Sequence, residues 1–148
     1  MMNNFIWNLE FRRKNMANRG DYYIVELERA HLEWGTHRYT DTRDIIYGEG
    51  YIQIPARKAY DFNIYNSNGT GGSDVWGENL FRCTSRDGFF EGVLRAQGNQ
   101  SDDRYAKQFS EDGNLKGIGR WYQRIGARVG DMIQVTWTSP TDIIIEKL

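Results

Sequence analysis

Strand signals dominate the pattern of hydrophobic and polar positions along this chain. Tyr22-Tyr23-Ile24-Val25-Glu26-Leu27 is rich in β-formers, and Leu27 to Trp34 is compatible with a helical continuation. Tyr51-Ile52-Gln53-Ile54 sets Ile52 and Ile54 on one face. Leu80-Phe81-Arg82-Cys83-Thr84 and Phe89-Phe90-Glu91-Gly92-Val93-Leu94-Arg95 flank Arg86-Asp87-Gly88. An Asp-Gly pair between two such runs predicts a hairpin. Met132-Ile133-Gln134-Val135-Thr136-Trp137 and Ile143-Ile144-Ile145 read as a closing strand pair around Ser139-Pro140-Thr141-Asp142.

The helical period occurs twice. Pro55 opens a short helix through Ala56-Arg57-Lys58-Ala59-Tyr60, where its missing N–H costs nothing. Leu115, Ile118, Tyr122 and Ile125 make an apolar stripe over Leu115 to Ile125, expected to face the core. Gly117 and Gly119 weaken its first turn. Asn66 to Ser73 is glycine-rich and reads as a loop inside a domain, because ordered patterns resume on both sides.

At 148 residues the chain suffices for one domain with a real core. No apolar run approaches the ~18–20 residues of a membrane helix, and Met1-Met2-Asn3-Asn4-Phe5 lacks the layout of a signal peptide. A cytoplasmic protein with no membrane partner is expected. The single cysteine, Cys83, builds neither a disulfide framework nor a zinc site and is expected to be a buried structural thiol.

The net charge of −1 announces no polyanionic partner. Its distribution says more. Arg12, Arg13, Lys14 and Arg19 lie in one acid-free stretch, and Lys116, Arg120, Arg124 and Arg128 in another. Either could be an ordinary solvated face. Arginine outnumbers lysine 14 to 5, and its planar fork matches phosphates and guanine edges.

No complete catalytic motif is present. His31 and His37 lie in His-Leu-Glu and His-Arg-Tyr contexts, not His-x-Lys, and their spacing is not that of a helical metal pair. No acid stands two before a lysine in a strand-like run, as a magnesium-dependent nuclease of the PD-(D/E)xK class requires. Gly-x-Ser-x-Gly is absent, and Gly69-Thr70-Gly71-Gly72 lacks the Gly-Lys-Ser/Thr of a phosphate loop. Adjacent Asp102 and Asp103 are best read as solvated acids. The expectation is no catalytic residue, no metal and no cofactor.

The order of motifs carries a resemblance. A polar segment, Thr40-Asp41-Thr42-Arg43-Asp44, leads to Gly50-Tyr51-Ile52-Gln53-Ile54-Pro55 and a helix containing Ala59; Gly130-Asp131 later precedes an apolar strand. This resembles the DNA-binding pseudobarrel shared by plant B-three transcription-factor domains and bacterial restriction-enzyme effector domains of the EcoRII, BfiI and NgoFVII types. Tyr47-Gly48-Glu49-Gly50-Tyr51-Ile52, Leu94-Arg95-Ala96-Gln97-Gly98-Asn99 and Tyr105-Ala106-Lys107-Gln108-Phe109 are most similar to the C-terminal, target-recognising domain of the NgoFVII type. The likeness spans roughly Tyr39 to Leu148.

The resemblance implies a mainly β (α+β) fold, a seven-stranded open pseudobarrel with two short helices. It places that domain at 36–148, after an N-terminal extension at 1–35. It also implies two arms in the major groove of double-stranded DNA, at about Arg38–Tyr51 and Arg95–Gln108. On those arms Arg38, Arg43, Arg95 and Arg104 could fork onto guanine, Gln97, Asn99 and Gln100 could pair with adenine, and Asp41, Asp44 and Glu49 could accept from cytosine. Thr40, Tyr47 and Tyr51 complete the arm contacts. Lys107, Lys116 and Arg120 suit phosphate clamps, which set register without reading sequence. Cutting would then belong to a separate nuclease domain or subunit. Two other readings stay open: a small nuclease with an unrecognised or dimer-completed site, and a carbohydrate- or protein-binding β-domain using exposed aromatics. Of the tryptophans, Trp121 and Trp137 are expected in the core, and Trp76 is the candidate for an exposed ring.

Overall fold

The computed structural model describes residues 16–37, 46–69, 74–98 and 104–148. Their elements run β1 (Tyr22–Glu26), α1 (Arg29–Leu32), α2 (Trp34–His37), β2 (Ile52–Gln53), α3 (Ala56–Asp61), a 3-10 turn (Ser67–Gly69), β3 (Leu80–Ser85), β4 (Glu91–Gln97), β5 (Gln108–Glu111), α4 (Gly117–Arg124), β6 (Met132–Ser139) and β7 (Asp142–Lys147). The seven strands form one sheet in the order β1-β6-β7-β3-β4-β5-β2. All neighbours are antiparallel except β3 and β7. The sheet is nearly closed, with one unsealed seam between β1 and β2, and is the open pseudobarrel that the resemblance implies.

Strand alternation builds the core. Tyr23 and Val25 of β1, Ile133, Val135 and Trp137 of β6, Ile143 and Ile145 of β7, Phe81 and Cys83 of β3, Leu94 and Ala96 of β4, Phe109 of β5 and Ile52 of β2 are all buried. Full burial of a large apolar side chain contributes about 1.5–3 kcal/mol. Trp137 is the hub, with Phe62 at 5.1 Å and Phe81 at 6.0 Å between ring centroids. Trp121 and Tyr122 carry the α4 stripe into the same core.

The two expected helices are α3 and α4. A further short helix, α1, lies in the Leu27–Trp34 stretch compatible with a helical continuation, and another, α2, follows it from Trp34 to His37. Residues 22–26, assigned by sequence to the N-terminal extension, form β1 and pair with β6 from Tyr22↔Thr136 to Glu26↔Met132. The β3–β4 hairpin forms where Asp-Gly predicts it, with Gly88 at a φ of 82° that glycine adopts without strain. Strand β4 begins at Glu91 rather than Phe89. The Asp87 carboxylate takes the Phe89 N–H at 2.8 Å and Ser85 Oγ takes the Phe90 N–H at 2.9 Å, so both phenylalanines belong to the turn.

Candidate nucleic-acid interface

Two loops leave the β4-β5-β2 side of the sheet. The first joins β4 to β5 and corresponds to the expected second arm. Its roots are held by Asn66, which is buried. Asn66 Oδ1 accepts from the Gly98 N–H at 2.8 Å and the Asn68 N–H at 3.0 Å, while Asn68 Nδ2 donates to the Gly98 carbonyl at 3.0 Å. The returning limb pairs with the chain after α3: Asn66 N–H donates to the Arg104 carbonyl, and Ala106 N–H to the Ile64 carbonyl, both at 2.9 Å. Nothing in the pattern of apolar positions marks Asn66; a buried asparagine in a polar loop is visible only once the loop is folded.

Arg104 lies exposed on that limb. Its guanidinium stands 5.3 Å from the Tyr65 ring centroid and 5.6 Å from that of Tyr105. The Tyr65 hydroxyl, followed by the electrostatics of Tyr65 and Tyr105, raises its pKa above the ordinary arginine value. The tyrosines hold the cation in a defined place without neutralising it. Lys107 is exposed beside it.

Arg95 is engaged differently. Its guanidinium bridges Asp74, at 2.6 Å, and Asp112, at 2.8 Å. Burial works to lower its pKa, and the two carboxylates outweigh that and raise it. Its side chain ties the chain entering β3 to the turn that follows β5. Gln97 stands on the same outer face and accepts from Ser110 Oγ at 3.0 Å.

The second loop precedes β2. Its residues Arg38, Thr40, Asp41, Arg43 and Asp44 lie outside the described residues, as do Asn99 and Gln100 of the other arm. The returning limb is gripped from two sides. Ile46 N–H donates to the Gly35 carbonyl at 3.0 Å, Trp34 N–H to Glu49 at 3.2 Å, and Tyr51 N–H to His31 at 3.1 Å. From α4, Gly119 closes against the limb so tightly that a Cβ there would lie 2.0 Å from the Gly48 carbonyl oxygen. Gly119, which weakens α4 as a helix, is what lets this limb approach it; Gly117 makes room for the Glu111 side chain instead. Tyr47 points outward, 76% exposed, whereas Glu49 is buried. Tyr51 is half-buried, with its ring edge-on to His31 at 5.1 Å and Trp34 at 5.2 Å.

Lys116 and Arg120 are exposed, on the residue preceding α4 and on its outer side. The Lys116 side chain comes within 3.9 Å of a Cβ position at Gly48, so this cation adjoins the root of the loop before β2. Farther along the helix the Arg124 guanidinium covers the exposed Phe89 ring at 4.5 Å.

Among the described residues no group of three or more His, Cys, Asp and Glu side chains could hold a metal ion. Cys83 is free and buried, and desolvation raises its thiol pKa far above the ordinary value. His31 is buried; desolvation lowers its pKa against the opposing influence of Glu28. Its Nδ1 accepts from the Glu28 N–H at 3.0 Å, a structural use of the ring. Trp76 is 43% exposed, with the Arg82 guanidinium 5.5 Å from its ring centroid. No helix among the described residues is long and apolar enough to cross a membrane.

No family model and no curated protein sequence matches this chain. Among solved structures it is similar to the N-terminal domain of Helicobacter pylori LlaJI.R1, with a TM-score of 0.51 and 9% identity over 86% of this chain and 87% of that one. A second similar structure is the Arabidopsis FUS3-DNA complex, with a TM-score of 0.47 and 13% identity over 84% and 93% of the two chains. The first likeness shows the fold alone, the seven-stranded open pseudobarrel.

Proposed function

We propose that this chain binds double-stranded DNA sequence-specifically, gripping the major groove with arms at Arg38–Tyr51 and Arg95–Gln108. In this role it is the target-recognition domain of a restriction endonuclease, or a stand-alone relative of one, with cutting assigned to another domain or subunit. The observation that carries the reading is the way both loop roots are built. Each is fixed by a dense set of backbone bonds, and each has an exposed cation at it: Arg104, followed by Lys107, at one, and Lys116 at the other. A rigid base with cations at its rim is what positioning on a phosphate backbone requires.

In this reading Arg104 reads a base edge, pre-oriented by Tyr65 and Tyr105, while Lys107, Lys116 and Arg120 hold phosphates. Arg38, Thr40, Asp41, Arg43, Asp44, Asn99 and Gln100 supply further arm contacts, with Tyr47 at the rim. Gln97 offers its amide at the second root. Arg95 braces that root through Asp74 and Asp112 unless DNA displaces a carboxylate. Glu49 and Tyr51 support the first arm from within.

Selection from a random-sequence duplex pool, followed by fluorescence anisotropy across a salt series, tests the proposal. An enriched sequence bound with steep salt dependence is the expected result. A pool with no enriched sequence, together with no salt-sensitive binding, overturns it.

A further inference from the structure

Three glutamines stand in one row across three strands. Gln53 of β2 is in register with Gln108 of β5, and Gln108 with Gln97 of β4. At the usual spacing of neighbouring strands the row spans about 10 Å. Its flanking residues Ile52, Ile54, Ala96 and Phe109 are buried, so alternation turns all three amides to the outer face.

The row also links the two loop roots. Gln97 is the last residue of β4 before one loop, Gln108 is the first of β5 after it, and Gln53 closely follows the limb that returns from the other. The next row inward is Arg95 opposite Ser110. Arg95 is saturated by Asp74 and Asp112, and buried Ser110 donates to Gln97 Oε1. With its carbonyl oxygen engaged from within the sheet, Gln97 directs its NH₂ group away from Ser110.

An amide offers a donor and an acceptor side by side and carries no charge. That pair matches N7 and N6 on the major-groove edge of adenine. It adds nothing to phosphate neutralisation. We propose that this row, running from the strand root of the second arm to β2 beside the first, is a base-reading surface, with Gln53 and Gln108 as specificity-determining residues. The inference rests on the DNA-binding reading above.

The test uses the full chain carrying Gln53→Ala, and separately Gln108→Thr, which preserves strand preference. Each is measured against the selected duplex and a set of single base-pair substitutions of it. The expected result is a loss of about 5- to 150-fold in discrimination at one or two base-pair positions. The slope of affinity against salt and the melting temperature should match wild type, because no charge or core contact is removed. Discrimination retained at every position overturns the inference. So does uniform weakening on all duplexes with a lowered melting temperature, which marks a merely structural role. Absence of any enriched duplex for the wild-type chain, together with no salt-sensitive binding, is a separate outcome: it overturns the DNA-binding reading itself and this inference with it.

Discussion

The indole nitrogen of Trp121 donates to the carboxylate of Asp87 at 3.0 Å, joining helix α4 to the β3–β4 turn. The same carboxylate accepts from Ser85 Oγ and the Phe89 N–H. Burial acts to raise the Asp87 pKa, but these three donors together bring it below the ordinary carboxylate value. Asp87→Ala strands the indole N–H and frees the turn. A loss of about 1–3 kcal/mol is expected in chemical denaturation.

Acid should destabilise the protein in a defined window. Asp142 is held well below the usual carboxylate range, first by its hydrogen bond from Arg82 and then by that from Ser139. A group whose folded pKa is depressed contributes stability that is complete above its unfolded value, about 3.9 for aspartate. That contribution is lost as the pH falls through the lower folded value. Denaturant titrations below pH 4 should show stability falling with pH, and Asp142→Asn should flatten the fall.

His31 predicts a second window at higher pH. Its folded pKa lies below the ordinary value of about 6.5, chiefly through desolvation, and its Nδ1 must stay unprotonated to accept from Glu28. Protonation therefore favours unfolding. Stability is complete above about pH 6.5 and declines as the pH drops toward the folded value. His31→Gln should remove that slope while leaving the more acidic one.

Gly119→Ala opposes two effects. Helix propensity alone favours alanine by about 1 kcal/mol. The new methyl, however, would lie 2.0 Å from the Gly48 carbonyl oxygen, which is backbone and cannot rotate away. A net destabilisation of about 1–3 kcal/mol is expected. DNA affinity, if the proposed function holds, should fall further than stability alone explains, because the limb carrying Tyr47 is displaced.

Tyr23→Phe should be neutral or stabilising, by up to about 1 kcal/mol, in thermal and chemical denaturation. The Tyr23 hydroxyl is buried without a hydrogen-bond partner among the described residues. Phenylalanine keeps the ring and removes the cost of desolvating the hydroxyl.

Much of this architecture was legible in the chain. Asp87-Gly88 located its hairpin, Pro55 and Ala59 their helix, alternating apolar residues the strands β2 and β6, and the run Ile143-Ile144-Ile145 the strand β7, because each signal is local. What escaped notice is non-local. Strand β5 spans four residues with one apolar side chain, Phe109, and exists because β4 and β2 pair with its two edges. Asn66 carries no periodic signal and acquires its role only when Gly98 arrives beside it. Gly117 and Gly119 read as faults in a helix, since the carboxylate of Glu111 and the carbonyl of Gly48 that crowd them lie elsewhere in the sequence. The ion pairs of Arg95 carry no local signal, because neither Asp74 nor Asp112 is its neighbour along the chain.

The parallel pairing of β3 with β7 also bears on how the molecule is made. Two hairpins, β3–β4 and β6–β7, can each form from nearby segments. Only β7, inserted between β6 and β3, joins them into one sheet. Strand β1 in turn waits for β6 before it has any partner in the sheet. During synthesis β1, the first strand among the described residues, is thus left unpaired until β6, more than a hundred residues later, has emerged. Such high contact order favours slow, late closure, and it exposes the Tyr22–Glu26 edge to foreign strands for longest.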